Sequence, residues 1–322
     1  MKYDVVCIGD AFEDVFVEPN LKPEFSRSFA SKQSISFELG EKVPLNSVDY
    51  EIGGSACNAA VGFSRLGYNS TIVSLLGDDT PKERVIERLE KENVDYDHLN
   101  ISKKIQTGFS VIFRFEGERT IFVYHGVKDY SSLKIKKGLR FKWIYVSPLG
   151  ENTEDIERRV IAEVSTHNSM FAWNPGSLQI AKGASHFKHL LMATNVLFLN
   201  KEEAIKFINL PVRPSMEQIF FKLHSYGPKI IVITNGKEGA YVSHRNIILN
   251  KEADQRLKKV DATGAGDSFA VGFLGKIMEL DFNTISEQEL NEALKWGTAN
   301  SASVIRQIGA QRGLLTKEEI ES

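Results

Sequence analysis

Five short, mostly apolar runs, at residues 3–8, 141–146, 169–173, 196–199 and 230–234, limit this chain more than any other feature. A strand with one wet face alternates apolar and polar residues. A run without alternation is buried on both faces, as inside a parallel sheet. Helical patterns fall between and after these runs, as at 153–165. The alternation therefore predicts an α/β fold: a mostly parallel central sheet with helices on both faces. The 322 residues, 42% of them hydrophobic, suffice for such a core as one continuous domain over 1–322, and no repeat or linker divides them.

Two segments break the β/α alternation. Residues 34–49 alternate around Gly40-Glu41 (Ile35, Phe37, Leu39, then Val43, Leu45, Val48), which predicts a hairpin. Residues 107–115 and 119–124 predict a second pair, turning at Glu116-Gly117-Glu118. Together they predict a small separate β-sheet, formed by about 17–50 and 106–126, acting as a lid that keeps water from a substrate. The polar stretch 19–33 reads as an irregular loop.

Composition excludes several classes. A net charge of −2 argues against nucleic-acid partners, and no run approaches the eighteen apolar residues of a membrane span. Asp4 and Asp10 come too early for a secretory leader, so a cytoplasmic location is expected. Cys7 in a strand and Cys57 among alanines read as small core residues of a reducing compartment. His186 and His189 lack an acidic partner, which disfavours zinc.

The chemistry concentrates in Asp261-Ala262-Thr263-Gly264-Ala265-Gly266-Asp267-Ser268-Phe269. Gly264, Ala265 and Gly266 let backbone N–H groups converge on an anion, and the apolar spacing from 268 to 278 predicts a buried helix whose N-terminus favours negative charge. Asp267 repels a phosphate but suits a general base; the alternative is a helix cap after a Gly-rich turn. The stretch lacks the third glycine of a dinucleotide fingerprint, and no P-loop motif occurs. Gly53-Gly54-Ser55 opens a helix that stops at Gly67 and carries Asn58 in its first turn. Asp10 and Asp14 follow the first strand, where ligands bind in open α/β sheets. Asn200 to Glu203 and Thr234 to Gly239 follow two later strands. The tail at 287–306 reads as a helix broken at Gly297, followed by Gly309-Ala310-Gln311-Arg312-Gly313.

In this order the motifs resemble the ribokinase-like (PfkB) carbohydrate kinase family over nearly the whole chain, most closely at 261–269. The resemblance implies a ribokinase-like fold and ATP-dependent phosphoryl transfer to an alcohol hydroxyl of a small sugar. It implies Asp267 as catalytic base, the amides of Gly264, Ala265 and Gly266 as anion hole, and Asp14, Gly54 and Asn58 as substrate ligands. Asn200 and Glu203 match an N-x-x-E element that organises Mg²⁺ through water, and Thr234, Gly236 and Gly239 a T-x-G-x-x-G element near the nucleotide. Asp261 and Thr263 occupy positions that hold a monovalent cation, K⁺, in some members. Asn174-Pro175-Gly176-Ser177 and the loop after Asp78-Asp79 depart from the pattern, which leaves the acceptor open. One alternative is a nucleoside kinase, with Phe109, Phe113, Phe115 or Tyr124 of the lid stacking on a base; another is a non-catalytic metabolite sensor. Exposed lid edges suggest a homodimer.

Overall fold

A computed structural model describes residues 2–20, 26–29, 32–115, 118–136, 138–211, 213–257 and 259–322, and side chains except those of 26–29 and 32–34. Its central sheet has eight strands in the order Ile247–Lys251, Ala240–His244, Ile230–Thr234, Val196–Asn200, Met170–Trp173, Phe141–Val146, Tyr3–Ile8, Ser70–Val73. All five runs are in it, paired parallel with one another. The two strands at the far edge are antiparallel and were not expected from the sequence.

Burial on both sheet faces is literal. Along Tyr3–Ile8, Val5 and Cys7 join one apolar cluster and Val6 and Ile8 the other. The first cluster is closed by the helices Ser55–Arg65, Ala265–Met278 and Glu287–Val304, the second by Glu154–His167 and Met216–His224. Each fully covered Phe or Ile contributes about 2 kcal/mol by leaving water.

Gly297 does not break its helix. Glu287–Val304 runs through it, because Gly297 lies where a Cβ would come within 2.9 Å of the Phe269 ring. Gly272 on the facing helix has the backbone of Trp296 at 2.5 Å from a Cβ position. The two helices therefore cross at paired glycines, and close packing outweighs the cost of about 1 kcal/mol that glycine brings to a helix interior.

The lid forms, with different partners from those expected. No hairpin turns at Gly40-Glu41: Lys32–Ile35 pairs with Ser26–Phe29, inside the stretch read as irregular, whereas Leu45–Gly53 pairs with Phe12–Pro19. Phe12–Pro19 is itself an unexpected strand, so Asp14 sits within a strand and not in a loop. Gly108–Phe115 and Glu118–Tyr124 pair as expected, though Glu116 and Gly117 of their turn lie outside the described residues. The four-strand order is Glu118–Tyr124, Gly108–Phe115, Phe12–Pro19, Leu45–Gly53. Alternation failed as a guide here because neighbours in space are distant in sequence. No helix among the described residues is long and apolar enough to cross a membrane.

Candidate active site

The helix Ala265–Met278 begins at Gly264, which has φ 74° and ψ 6°. This left-handed backbone favours glycine, and a Cβ here would also lie 2.3 Å from that of Ala310. The Ala265 N–H leans on the Ala262 carbonyl at 3.3 Å, and the Ser268 N–H closes the first helical bond to Gly264 at 2.8 Å. Between them, the N–H groups of Gly266 and Asp267 have no backbone carbonyl partner among the described residues. Open space surrounds the position of a Gly266 Cβ. The freest donors for an anion are thus Gly266 and Asp267, with Ala265 partly engaged.

Asp267 lies half-buried in the first turn, at the floor of a cleft of about 390 Å³. Its Oδ2 accepts from Asn58 Nδ2 at 2.9 Å, and the Ser55 hydroxyl also donates. Desolvation pushes its carboxyl above the ordinary value, and these two donors hold it down. A carboxylate made more basic by burial, set at a cleft floor, can take a proton from a hydroxyl. Asn58 is buried on the helix Ser55–Arg65, and its Oδ1 accepts from Gln311 Nε2 at 3.1 Å. That contact fixes which end of the Asn58 amide meets Asp267. Arg65 pins the same segment by donating to the Gln311 and Leu314 carbonyls, each at 2.8 Å. Gln311 stood in a glycine-flanked stretch visible in the sequence, but a neutral amide carries no sign of its role.

Asp14 comes from the lid and is buried, its carboxyl pushed up to about 6 by desolvation while Ser110 donates to it. Gly53 makes room for it: a Cβ there would lie 2.1 Å from Asp14 Oδ2. Gly54, with φ 90°, is required by chain packing, since a Cβ would sit 2.5 Å from the Asp10 carbonyl. Asp10 accepts from the Tyr130 hydroxyl, and burial pushes its carboxyl up to about 7. The four aromatics considered as a base-stacking platform do not face Asp14. Strand alternation puts Phe109, Phe113 and Phe115 on the opposite side of the lid, and Tyr124, the cross-strand partner of Phe109, goes with them.

On the other side, an apolar pocket of about 370 Å³ shares Thr234, Ala262, Ala265, Gly266 and Phe269 with the cleft. Gly236 and Gly239 also line it, at φ 53° and 93°. Gly239 is held by the turn, as a Cβ would meet the Lys251 carbonyl at 2.0 Å, whereas Gly236 has open space. Asn200 and Glu203 line the cleft while capping a helix: Glu203 Oε2 accepts from the Asn200 N–H at 2.9 Å and Asn200 Oδ1 from the Glu203 N–H at 2.8 Å. Burial raises the Glu203 carboxyl. No group of three His, Cys, Asp or Glu among the described residues could cage a metal. Glu203 keeps its second oxygen, so the donor set suits Mg²⁺ carried on phosphate oxygens with most of its waters retained.

Asp261 fits a monovalent cation poorly. Its Oδ1 accepts from the Thr263 N–H at 3.0 Å, the Thr263 hydroxyl at 2.8 Å and Arg119 Nη1 at 3.2 Å, and its Oδ2 from the Gly309 N–H at 3.1 Å. Arg119 belongs to the lid strand Glu118–Tyr124.

Residues 27–317 match the family described as pfkB family carbohydrate kinase. Among curated relatives, a nucleoside kinase of Methanocaldococcus jannaschii is 24% identical over 88% of this chain and 88% of its own length. An ATP-dependent 6-phosphofructokinase of Thermoanaerobacterium thermosaccharolyticum is 24% identical over 96% of this chain and 90% of its own. The solved structure of Arabidopsis thaliana ribokinase complexed with ribose and ATP superposes with a TM-score of 0.79 at 20% identity, covering 100% of this chain and 98% of that one.

Proposed function

Because the chain belongs to the pfkB family of carbohydrate kinases, we propose that it transfers the γ-phosphoryl group of ATP to a hydroxyl of a small neutral sugar. One observation carries this reading: a single cleft holds the Asp267 carboxyl and the unpartnered N–H groups of Gly266 and Asp267, and it opens into an apolar pocket able to take a base. ATP lies with its base in that pocket and its phosphates along the N-terminus of the helix Ala265–Met278. Asp267 removes the proton as the acceptor oxygen bonds to the γ-phosphorus, the bond to the β–γ bridging oxygen breaks, and ADP leaves with that electron pair. The helix-start amides stabilise charge on the transferring group, and positioning supplies most of the remaining rate. Glu203 and Asn200 would hold Mg²⁺ through water, and the ion would supply positive charge to the phosphate oxygens.

The acceptor lies between Asp267, Asn58 and the lid, against Asp14. Buried Asp14 and half-buried Asp10 accept hydrogen bonds from hydroxyls and disfavour anions, and Arg119 is already paired with Asp261. This favours neutral polyols over phosphorylated sugars or sugar acids. With Phe109, Phe113, Phe115 and Tyr124 turned away from Asp14, these four do not supply base stacking for a nucleoside, and a sensor has no need of a base such as Asp267. The protein acts as a homodimer through the apolar side of the lid, in the cytoplasm.

Coupled ADP release with Mg-ATP, against pentoses, hexoses, nucleosides and fructose 6-phosphate, tests the reading beside Asp267→Asn. Turnover on a neutral polyol is expected, reduced on the order of 10³-fold in the variant. Equal turnover by the variant would refute the base, and preference for fructose 6-phosphate would refute the neutral acceptor.

A further inference from the structure

We propose that Arg119, delivered by the lid, is the built-in counter-ion of the loop that forms the anion hole, and that this chain consequently needs no monovalent cation there. The Asp261 side chain is only 2% exposed, so its charge requires compensation from the protein. Arg119 is the one cation paired with it among the described residues. Three donors crowd onto its Oδ1, the N–H and hydroxyl of Thr263 and Arg119, while its Oδ2 takes the Gly309 N–H; an oxygen with about two acceptor positions is thereby fully engaged at Oδ1. A K⁺ ion at Oδ1 would have to displace the guanidinium.

The partners of Asp261 give the ion pair a consequence. Thr263 precedes the left-handed Gly264, and Gly309 precedes Ala310, against which Gly264 packs. Asp261 thus ties together the two backbone segments that shape the start of the catalytic helix. Arg119, on an edge strand of the lid, is the only contributor that travels with the lid. Closing the lid brings the charge that completes this cluster; opening it withdraws that charge. Arg119 is therefore a positioning residue, acting on the amides through Asp261.

Thermal unfolding of the full chain in potassium chloride against tetramethylammonium chloride, at equal ionic strength, reads the cation effect directly. The unmodified protein is expected to unfold at the same temperature in both salts, and Arg119→Met to gain a K⁺-specific rise. Arg119→Lys, which restores a cation, is expected to remove that rise. In phosphoryl transfer to whichever acceptor the screen identifies, Arg119→Met is expected to lose roughly tenfold in tetramethylammonium and recover in K⁺, as coupling between two sites gives. K⁺-specific stabilisation or activation of the unmodified protein overturns the proposal, even if Arg119→Met does not fold. A folded Arg119→Met indifferent to K⁺ also overturns it. Because unfolding requires no turnover, this result stands or falls separately from the phosphotransfer reading on which the proposal rests.

Discussion

The floor of the cleft and the lid above it are built on opposite terms. At the floor, Gly264 is required by both φ and packing, and Asp267 is held by Asn58, itself held by Gln311. The lid meets the rest of the chain through side-chain ion pairs, Arg119 to Asp261, Glu13 to Arg84 and Glu51 to Arg88 and Arg312, and its outer face leaves Tyr50 56% and Phe122 62% exposed. Under the proposed function, phosphoryl transfer would belong to the floor and acceptor choice to the lid. Relatives at equal identity that bear the names of a nucleoside kinase and a 6-phosphofructokinase accord with that division.

The division breaks most sharply at two glycines two residues apart. Gly264→Ala puts a methyl against Ala310 and forces a left-handed alanine, together costing about 2–4 kcal/mol, so the melting temperature should fall and activity be lost. Gly266→Ala meets nothing and gains up to about 1 kcal/mol of helix propensity. Its methyl enters the phosphate path, so turnover should drop on the order of 10²-fold in a protein at least as stable. Calorimetry beside steady-state kinetics separates the two, and a fully active Gly266→Ala would show that these amides do not receive the phosphoryl group.

A smaller effect sharpens the claim that the floor is preorganised. Gln311→Leu frees the Asn58 amide to rotate, and activity at neutral pH should fall roughly tenfold, the worth of a hydrogen bond to a charged group. The pH profile gives the sign. Asn58 lowers the Asp267 carboxyl against the upward push of burial, so losing it raises that carboxyl further. A base must be deprotonated to act, and the acid limb of kcat/KM should therefore move to higher pH. A loss of stability with an unmoved limb would make Gln311 a packing residue only.

The same contrast explains what could be read before folding. The central sheet was legible because runs such as 3–8 and 230–234 are buried on both faces, and strands with that property have few alternatives. The helix start was legible because glycines beside an acid serve few purposes. The lid was legible only as the presence of strands: nothing local in Phe12–Pro19 says that it pairs with both Leu45–Gly53 and Gly108–Phe115. Arg119 and Gln311 were invisible for a related reason. Their partners Asp261 and Asn58 lie 142 and 253 positions away, and one arginine or glutamine resembles any other until the chain closes.

The mildest intervention tests whether the lid's outer face does anything for the chemistry below it. Register places Tyr50, Val15, Val111 and Phe122 in one row across the four strands, on the side opposite Asp14 and Ser110. Val17, Val48 and Phe113 form the next row. An apolar sheet face of this extent, half covered in one chain, is matched by a second copy of itself under two-fold symmetry. Phe122→Lys places a charge in that face, and sedimentation velocity should show a dimer becoming a monomer. Phe122 touches none of the groups that move a proton or a phosphoryl, so kcat should change by no more than about twofold, as for a surface site. A chain monomeric from the outset would remove the dimer. A large fall in kcat with dissociation would erase the division itself, because the lid's partner would then be holding the floor in place.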